Sequence, residues 1–223
     1  MKAMILAAGR GERLRPLTDS KPKPLVEVAG ETLLGRHLRR LAHCGFTEVV
    51  INVSHLAAQI VERFGAATPP GLRIRWSFEV EPLETAGGIA QARALLGDAP
   101  FLLVNADIWC DYDFAALKAR ALSGRLAHLV LVANPAHHPQ GDFTLEQGVV
   151  GNAAAPRYTY AGISVLSPRL VDGVAAGSKA QLAPLWRAAA EHAAVSGELY
   201  EGLWSDVGTV ERLEQLQERL NRR

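Results

Sequence analysis

Short continuous apolar runs alternate with longer amphipathic stretches along this chain. Ala3 to Leu6 is the first run and reads as a buried strand. Thr32 stands ahead of Leu33, Leu34, His37, Leu38, Leu41 and Ala42, a spacing that predicts a capped helix reaching about Gly45. Glu48 to Val53 is a second strand. His55 to Phe64 is a short helix ended by Gly65, and Leu72 to Phe78 is the next strand after the turn Pro69-Pro70-Gly71. Leu25 to Val28 is a shorter strand candidate. This rhythm predicts an α/β fold: a Rossmann-like mixed, mostly parallel sheet with helices on both faces. Right-handed crossovers make it doubly wound and leave ligands outside the carboxyl ends of the strands.

The second half starts in the same way and then changes. Glu79 to Gly88 reads as a polar, Gly-ended loop that opens a helix from Ile89 to Leu96. Phe101 to Asn105 is a continuous apolar strand ending in Ala106-Asp107. Asp113 caps a helix to about Ser123, and Ala127 to Ala133 is another strand. Pro135 to Arg157 carries Pro, Gly, His and Asn and predicts a loop-and-hairpin insertion, with short strands near Asp142 to Leu145 and Gln147 to Val150. Tyr158 to Leu166 resumes the sheet. Gln181 to Ala194 is an Ala-rich helix, and Glu198 to Trp204 forms the last strands. Thr209 caps a final helix with Val210, Leu213, Leu216 and Leu220 on one face. No internal repeat is present.

Composition narrows the class. The 223 residues are 48% hydrophobic and 21% charged, which suits a folded chain with a sizeable core and argues against disorder. A net charge of +1 gives no support for nucleic-acid binding. Cys44 and Cys110 lack metal-type spacing and read as reduced thiols, so a cytoplasmic location is expected. Met1 leads almost directly into a strand, without the pattern of a signal peptide. No apolar run approaches membrane-spanning length.

The candidate chemistry sits in Leu6 to Pro24, L-A-A-G-R-G-E-R-L-R-P-L-T-D-S-K-P-K-P. Ala7, Ala8, Gly9 and Gly11 allow backbone N–H groups to approach a phosphate closely. Arg10, Arg13, Arg15, Lys21 and Lys23 supply cations, and Pro16, Pro22 and Pro24 stiffen the loop. Together they point to a polyphosphate site at the end of the first strand. A dinucleotide-dependent oxidoreductase is excluded on motif order, because the third Gly is missing and no acidic residue follows at ribose-binding distance.

This stretch resembles the signature of the sugar-1-phosphate nucleotidylyltransferases. The resemblance continues through Glu81-Pro82-Leu83-Glu84-Thr85-Ala86-Gly87-Gly88, Asn105-Ala106-Asp107 and Trp204-Ser205-Asp206-Val207-Gly208-Thr209, and so spans nearly the whole chain. It implies one domain over residues 1–223, with 1–133 mainly binding nucleotide and 134–223 mainly binding sugar and closing the fold. It also implies a reaction. A sugar-1-phosphate oxygen attacks the α-phosphate of a nucleoside triphosphate and pyrophosphate leaves, with positioning and charge neutralisation as the main tasks.

Roles follow by resemblance. Ala8, Gly9, Gly11, Glu12 and Arg13 line the triphosphate, with Arg13 on the departing pyrophosphate. Lys23 meets the α-phosphate or the sugar phosphate. Asp107 and Asp206 hold Mg²⁺, or Mn²⁺ in its place. Ala8, Glu81, Thr85 and Gly88 form the base pocket. Glu81 could accept from uracil N3–H, and it would equally suit guanine. Asn105, Asp142 and Gly162 are candidates for the sugar, while Trp109, just after Asp107, reads as a core residue or as a wall of the sugar pocket. Arg10, Arg15 and Lys21 read as supporting or solvated residues.

Within the family, Pro82 to Ile89 and Asn134-Pro135-Ala136-His137-His138 ahead of Gly141-Asp142-Phe143 resemble members that join UTP to an N-acetylated sugar-1-phosphate bearing a lactyl carboxylate, in peptidoglycan recycling. Lys179, Arg157, His137 and His138 are available to that carboxylate. Transfer of GMP to a mannose or heptose phosphate, or of UMP to another hexosamine phosphate, remains an alternative. A non-catalytic nucleotide-sugar sensor is the alternative of another class, and it would be expected to lack Arg13, Lys23, Asp107 or Asp206. A monomer or weak oligomer is expected, with no nucleic-acid or membrane partner.

Overall fold

The computed structural model describes residues 1–65, 67–154 and 156–222. The first part comprises β1 (Ala3–Leu6), β2 (Glu27–Val28), β3 (Glu31–Thr32), α1 (Leu33–His43), β4 (Glu48–Val53), α2 (Ala57–Gly65) and β5 (Arg73–Phe78). Next come α3 (Glu84–Gln91), α4 (Arg93–Leu96), β6 (Phe101–Asn105), β7 (Ile108–Cys110), α5 (Phe114–Lys118) and β8 (Ala127–Val132). The last part holds β9 (Thr144–Glu146), β10 (Val149–Gly151), β11 (Thr159–Leu166), α6 (Leu182–Glu191), β12 (Val195–Leu199), β13 (Trp204–Asp206) and α7 (Val210–Asn221).

Nine strands make the main sheet in the order β5-β4-β1-β6-β11-β8-β12-β10-β9. The first four are mutually parallel, with Leu6 beside Asn52 on one flank and Asn105 on the other. β11 and β10 run against the rest, so the sheet is mixed and mostly parallel. Alternation along β1 shows why both faces carry helices. Ala3 and Ile5 pack with Leu34, Leu38 and Leu41 of α1 and Ile60 of α2, whereas Met4 packs with Ile89 of α3 and Trp186 of α6. For α1 this face matters more than its cap. The Thr32 hydroxyl accepts from Gly35 N at 3.1 Å, a contact worth about 1 kcal/mol. Each buried leucine contributes about 1.5–3 kcal/mol.

Several boundaries differ from the expected ones for physical reasons. α3 begins at Glu84, inside the stretch expected to be a loop. Its glycines are there for close packing. A Cβ on Gly87 would collide with Ser178 O, and one on Gly88 would lie 2.7 Å from Glu79 Oε1. α5 stops at Lys118 and the chain then turns through Ser123 and Gly124, both at positive φ. The expected last strands divide in two: β12 joins β8 in the main sheet, and β13 leaves it to pair with β7. Asp111 holds that departure by accepting from Leu203 N at 2.9 Å.

Trp109 takes the first of its two expected positions, the core. It is buried with Val26, Leu33 and Leu213 under α7, and the Arg36 guanidinium lies 4.0 Å from its ring centre. It belongs to the core beneath the β13–β7 ribbon rather than to a sugar pocket. Among the described residues no helix is long and apolar enough to cross a membrane.

Candidate active site

The turn after β1 is shaped by Gly11 and Thr18. Gly11 sits at φ +67°, and a Cβ there would be 3.0 Å from Thr18 Cγ2 and 3.1 Å from Lys23 Cβ. Only glycine therefore lets the loop fold this tightly back on itself. The buried Thr18 hydroxyl donates to Gly11 O at 2.8 Å and closes the loop. A short 3-10 turn, Glu12–Leu14, buries Leu14 and leaves Arg13 exposed. A second one, Lys23–Leu25, follows Pro22 in extended geometry, and Leu25 N donates to Pro22 O at 2.8 Å. The prolines and this turn together fix the Lys23 backbone.

A cleft of about 740 Å³ opens at the carboxyl ends of β1, β4 and β6. It falls within the range of small-molecule sites. Of the residues singled out from sequence, Ala8, Gly9, Gly11, Glu12, Arg13, Lys23, Glu81, Thr85, Asn105, Asp107 and Lys179 line it. Gly88, Asp142, Gly162 and Asp206 are not among the lining residues. Arg10, expected to be solvated, does line the cleft. Lys21 is exposed and pairs with Glu27 at 3.4 Å.

The half-buried carboxylates are held by cations. Lys23 Nζ lies 2.5 Å from Asp107 Oδ2. Arg212 Nη1 lies 2.6 Å from Asp206 Oδ2, and His137 Nε2 lies 3.2 Å from Asp206 Oδ1. The β13–β7 ribbon brings the two aspartates to adjacent strands, with Asp206 opposite Ile108 and Val207 N donating to Asp107 O at 2.8 Å. Among the described residues no three His, Cys, Asp or Glu side chains cluster as a metal site. Two aspartates on adjacent strands with no third ligand are the kind of oxygen donor that suits Mg²⁺, which completes its shell with phosphate and water. Behind them His37 is fully buried. Burial first, then the Arg40 and Arg36 guanidiniums, push its imidazole down to about pKa 4, while the Asp107 carboxylate pulls the other way.

The other wall is the segment from Glu79 to Gly88. Glu81 and Lys179 face each other across the rim at 3.2 Å, both exposed. The Thr85 hydroxyl accepts from Leu182 N at 2.9 Å, which ties this wall to α6. Two residues not singled out from sequence lie at its base. Asn52 and Glu79 are buried, line the cleft and share a hydrogen bond of 2.7 Å from Nδ2 to Oε1. A polar residue inside the otherwise apolar run E-V-V-I-N-V was the available signal for Asn52. Arg212, on the polar side of α7, was also missed. Gly208 also lines the cleft, and a Cβ there would strike the Arg212 guanidinium and lie 3.4 Å from Arg13 Nη2.

The sugar candidates divide. Asn105 lines the cleft, and its Oδ1 is buried without a hydrogen-bond partner. Gly162, at φ +74°, backs it, since a Cβ there would lie 3.1 Å from Asn105 Nδ2. The Asp142 carboxylate is taken up locally, accepting from Tyr160 N at 2.8 Å and meeting His138 Nε2 at 3.1 Å. Arg157 donates to Ala153 O and Asn152 O.

A mostly parallel sheet with a glycine turn, paired cations and strand-end carboxylates at its carboxyl edge has the chemistry of an enzyme acting on phosphate groups. The chain belongs to the nucleotidyl transferase family, whose profile matches residues 2–223. It is 49% identical over 227 residues to the N-acetylmuramate alpha-1-phosphate uridylyltransferase of Neisseria meningitidis serogroup B, covering 97% of each chain. It is 38% identical over 223 residues to the protein of the same name from Caulobacter vibrioides, covering 92% of this chain and 91% of the relative. Its fold matches a solved Bacillus anthracis chain, ascribed glucose-1-phosphate thymidylyltransferase activity, with a TM-score of 0.86 at 17% identity over 98% of this chain and 94% of that one.

Proposed function

We propose that this enzyme makes UDP-N-acetylmuramate and pyrophosphate from UTP and N-acetylmuramate α-1-phosphate, in the bacterial cytoplasm, as a step of peptidoglycan recycling. The observation that carries the reading is near-full-length similarity, at 49% and 38% identity, to two relatives bearing that activity in their names. The sugar-phosphate oxygen forms a bond to Pα, the Pα–O bond to the β-phosphate breaks, and pyrophosphate leaves with the electron pair. No covalent enzyme intermediate is needed.

The chain's own residues position and neutralise the two anions. N–H groups of the Gly9–Gly11 turn hold the β- and γ-phosphates. The Arg13 fork takes the growing charge on pyrophosphate. Lys23 draws the sugar phosphate and α-phosphate together, and it must give up part of its contact with Asp107 to do so. Asp107 and Asp206 would hold Mg²⁺ or Mn²⁺, which when bound neutralises phosphate charge. Arg212 and His137 orient Asp206. Ala8, Glu81 and Thr85 form the base side, with Gly88 behind them in the packing of α3, and Asn105 with its unsatisfied Oδ1 faces the sugar. Of the four residues available to the lactyl carboxylate, Lys179 is the one lining the cleft.

The test is pyrophosphate release across the four nucleoside triphosphates and a panel of sugar-1-phosphates. UTP with N-acetylmuramate α-1-phosphate is expected to give the highest kcat/KM. A faster pair, such as GTP with mannose-1-phosphate, would overturn the substrate assignment.

A further inference from the structure

Beneath the cleft, one chain of hydrogen bonds crosses the carboxyl ends of three adjacent strands. Ala7 N, just after β1, donates to Asn52 Oδ1 at 2.8 Å. Asn52 Nδ2, on β4, donates to Glu79 Oε1 at 2.7 Å. Glu79 Oε2, just beyond β5, accepts from Leu83 N at 2.9 Å. Asn52 is 3% exposed and Glu79 6%, and both line the cleft. The chain therefore joins the first residue of the glycine turn to the segment carrying Glu81 and Thr85.

Two features set this pair apart from ordinary core polarity. No arginine, lysine or histidine forms an ion pair with Glu79 among the described residues, although a buried carboxylate ordinarily has such a partner. Its two oxygens are met by one side-chain amide and one backbone N–H. Nor is there room for it to move. A Cβ on Gly88 would lie 2.7 Å from Glu79 Oε1 and 2.8 Å from Asn52 Nδ2, so α3 packs its backbone directly onto the pair. In such a network each group has one partner and one orientation, and a change at either end is transmitted to the other.

We infer that the Asn52–Glu79 pair is the positioning element for nucleotide-base selection: it sets where the wall Glu81–Thr85 stands relative to the Ala7–Gly11 turn, without touching the sugar. This rests on the reading of the cleft as a nucleoside triphosphate site. A pair that holds base wall and phosphate turn in register governs KM for the nucleotide and discrimination among bases. It leaves the sugar-phosphate side unchanged.

The test exploits the polarity of the pair. Glu79→Gln places two amides face to face, and Asn52→Asp two carboxylates. The double variant Asn52→Asp/Glu79→Gln restores every bond with the roles reversed. The carboxylate now at position 52 accepts from Ala7 N and from the amide now at position 79, whose oxygen accepts from Leu83 N. Each single variant is expected to raise KM for the preferred nucleotide, and to lower the kcat/KM preference for it over the other three, by about tenfold. KM for the sugar phosphate stays within about twofold. The double variant is expected to return both nucleotide readouts to within about threefold of the parent. Unchanged nucleotide KM and preference in the single variants, or a double variant no better than either, would overturn the inference. If neither single variant folds, the double variant decides alone: parent-like nucleotide preference upholds it, and a lost preference overturns it. The parent's preference among UTP, GTP, CTP and ATP is measured first. A parent preferring GTP would remove the uridylyl reading and leave this test intact.

Discussion

Lys21 and Lys23 are two residues apart and carry the same charge, so replacing each with alanine separates geometry from charge. Lys23 is 14% exposed at its side chain and lies 2.5 Å from Asp107 Oδ2. Lys21 is 47% exposed and lies 3.4 Å from Glu27. The exposed pair is worth about 0–1 kcal/mol to stability, and neither residue lines the cleft. Lys23 lines the cleft, where a lost donor to charge developing in the transition state costs about 2.7–4 kcal/mol. Lys23→Ala is therefore expected to lower kcat about 100- to 1,000-fold, and Lys21→Ala less than about twofold. Both proteins should melt within a few degrees of the parent, since Lys23 and Asp107 both remain partly solvated. The assay is steady-state pyrophosphate release with both substrates varied. Equal losses in the two variants would refute the reasoning, because they would show that the loop acts through summed charge. A rise in KM with kcat unchanged would refute the transition-state role of Lys23 while keeping it as a binding group.

Further outcomes test other parts of the site. Gly11→Ala should lower stability by about 1–2 kcal/mol, a drop in Tm of a few degrees, because φ +67° is a left-handed position and Thr18 Cγ2 leaves 3.0 Å for a Cβ; an unshifted Tm would contradict it. Asp206→Asn should abolish metal-dependent turnover and weaken Mn²⁺ binding, read by electron paramagnetic resonance on a protein of unchanged circular dichroism; undiminished Mn²⁺ affinity would remove Asp206 from the ligand set. The His37 imidazole lies at about pKa 4 in the fold against 6.5 for the free side chain, so the unfolded chain binds the extra proton between those values. Stability should thus rise as pH increases from about 4 to 6.5, by up to about 3 kcal/mol, and His37→Phe should flatten that rise in urea titrations.

The sheet was legible because buried parallel strands are written as unbroken apolar runs. Ala3–Leu6, Glu48–Val53 and Phe101–Asn105 all fall where those runs predict. α3 was misread because Gly87 and Gly88, signals of a loop, serve to bring a helix against Ser178 and Glu79. The ribbon strand β13 was misread because a three-residue strand carries too short a pattern, and its partner β7 lies far away in sequence. In the site, the glycine turn and Lys23 could be read because their chemistry is local and fixed by proline and glycine. Asn52, Glu79 and Arg212 could not, since each takes its meaning from a partner brought in by the fold. Asp142 shows the converse: its position beside Gly141 suggested a sugar contact, and the structure gives its carboxylate to Tyr160 N and His138.

The β13–β7 ribbon also orders events during synthesis. Strands β5, β4, β1 and β6 lie within the first 105 residues, and the glycine turn, Lys23 and Asp107 are all translated early. Asp206 is translated about a hundred residues later and reaches Asp107 only when β13 pairs with β7. Docking of this three-residue strand is thus what joins the last-made part of the proposed metal site to the first, and a product ending before it would lack the second carboxylate.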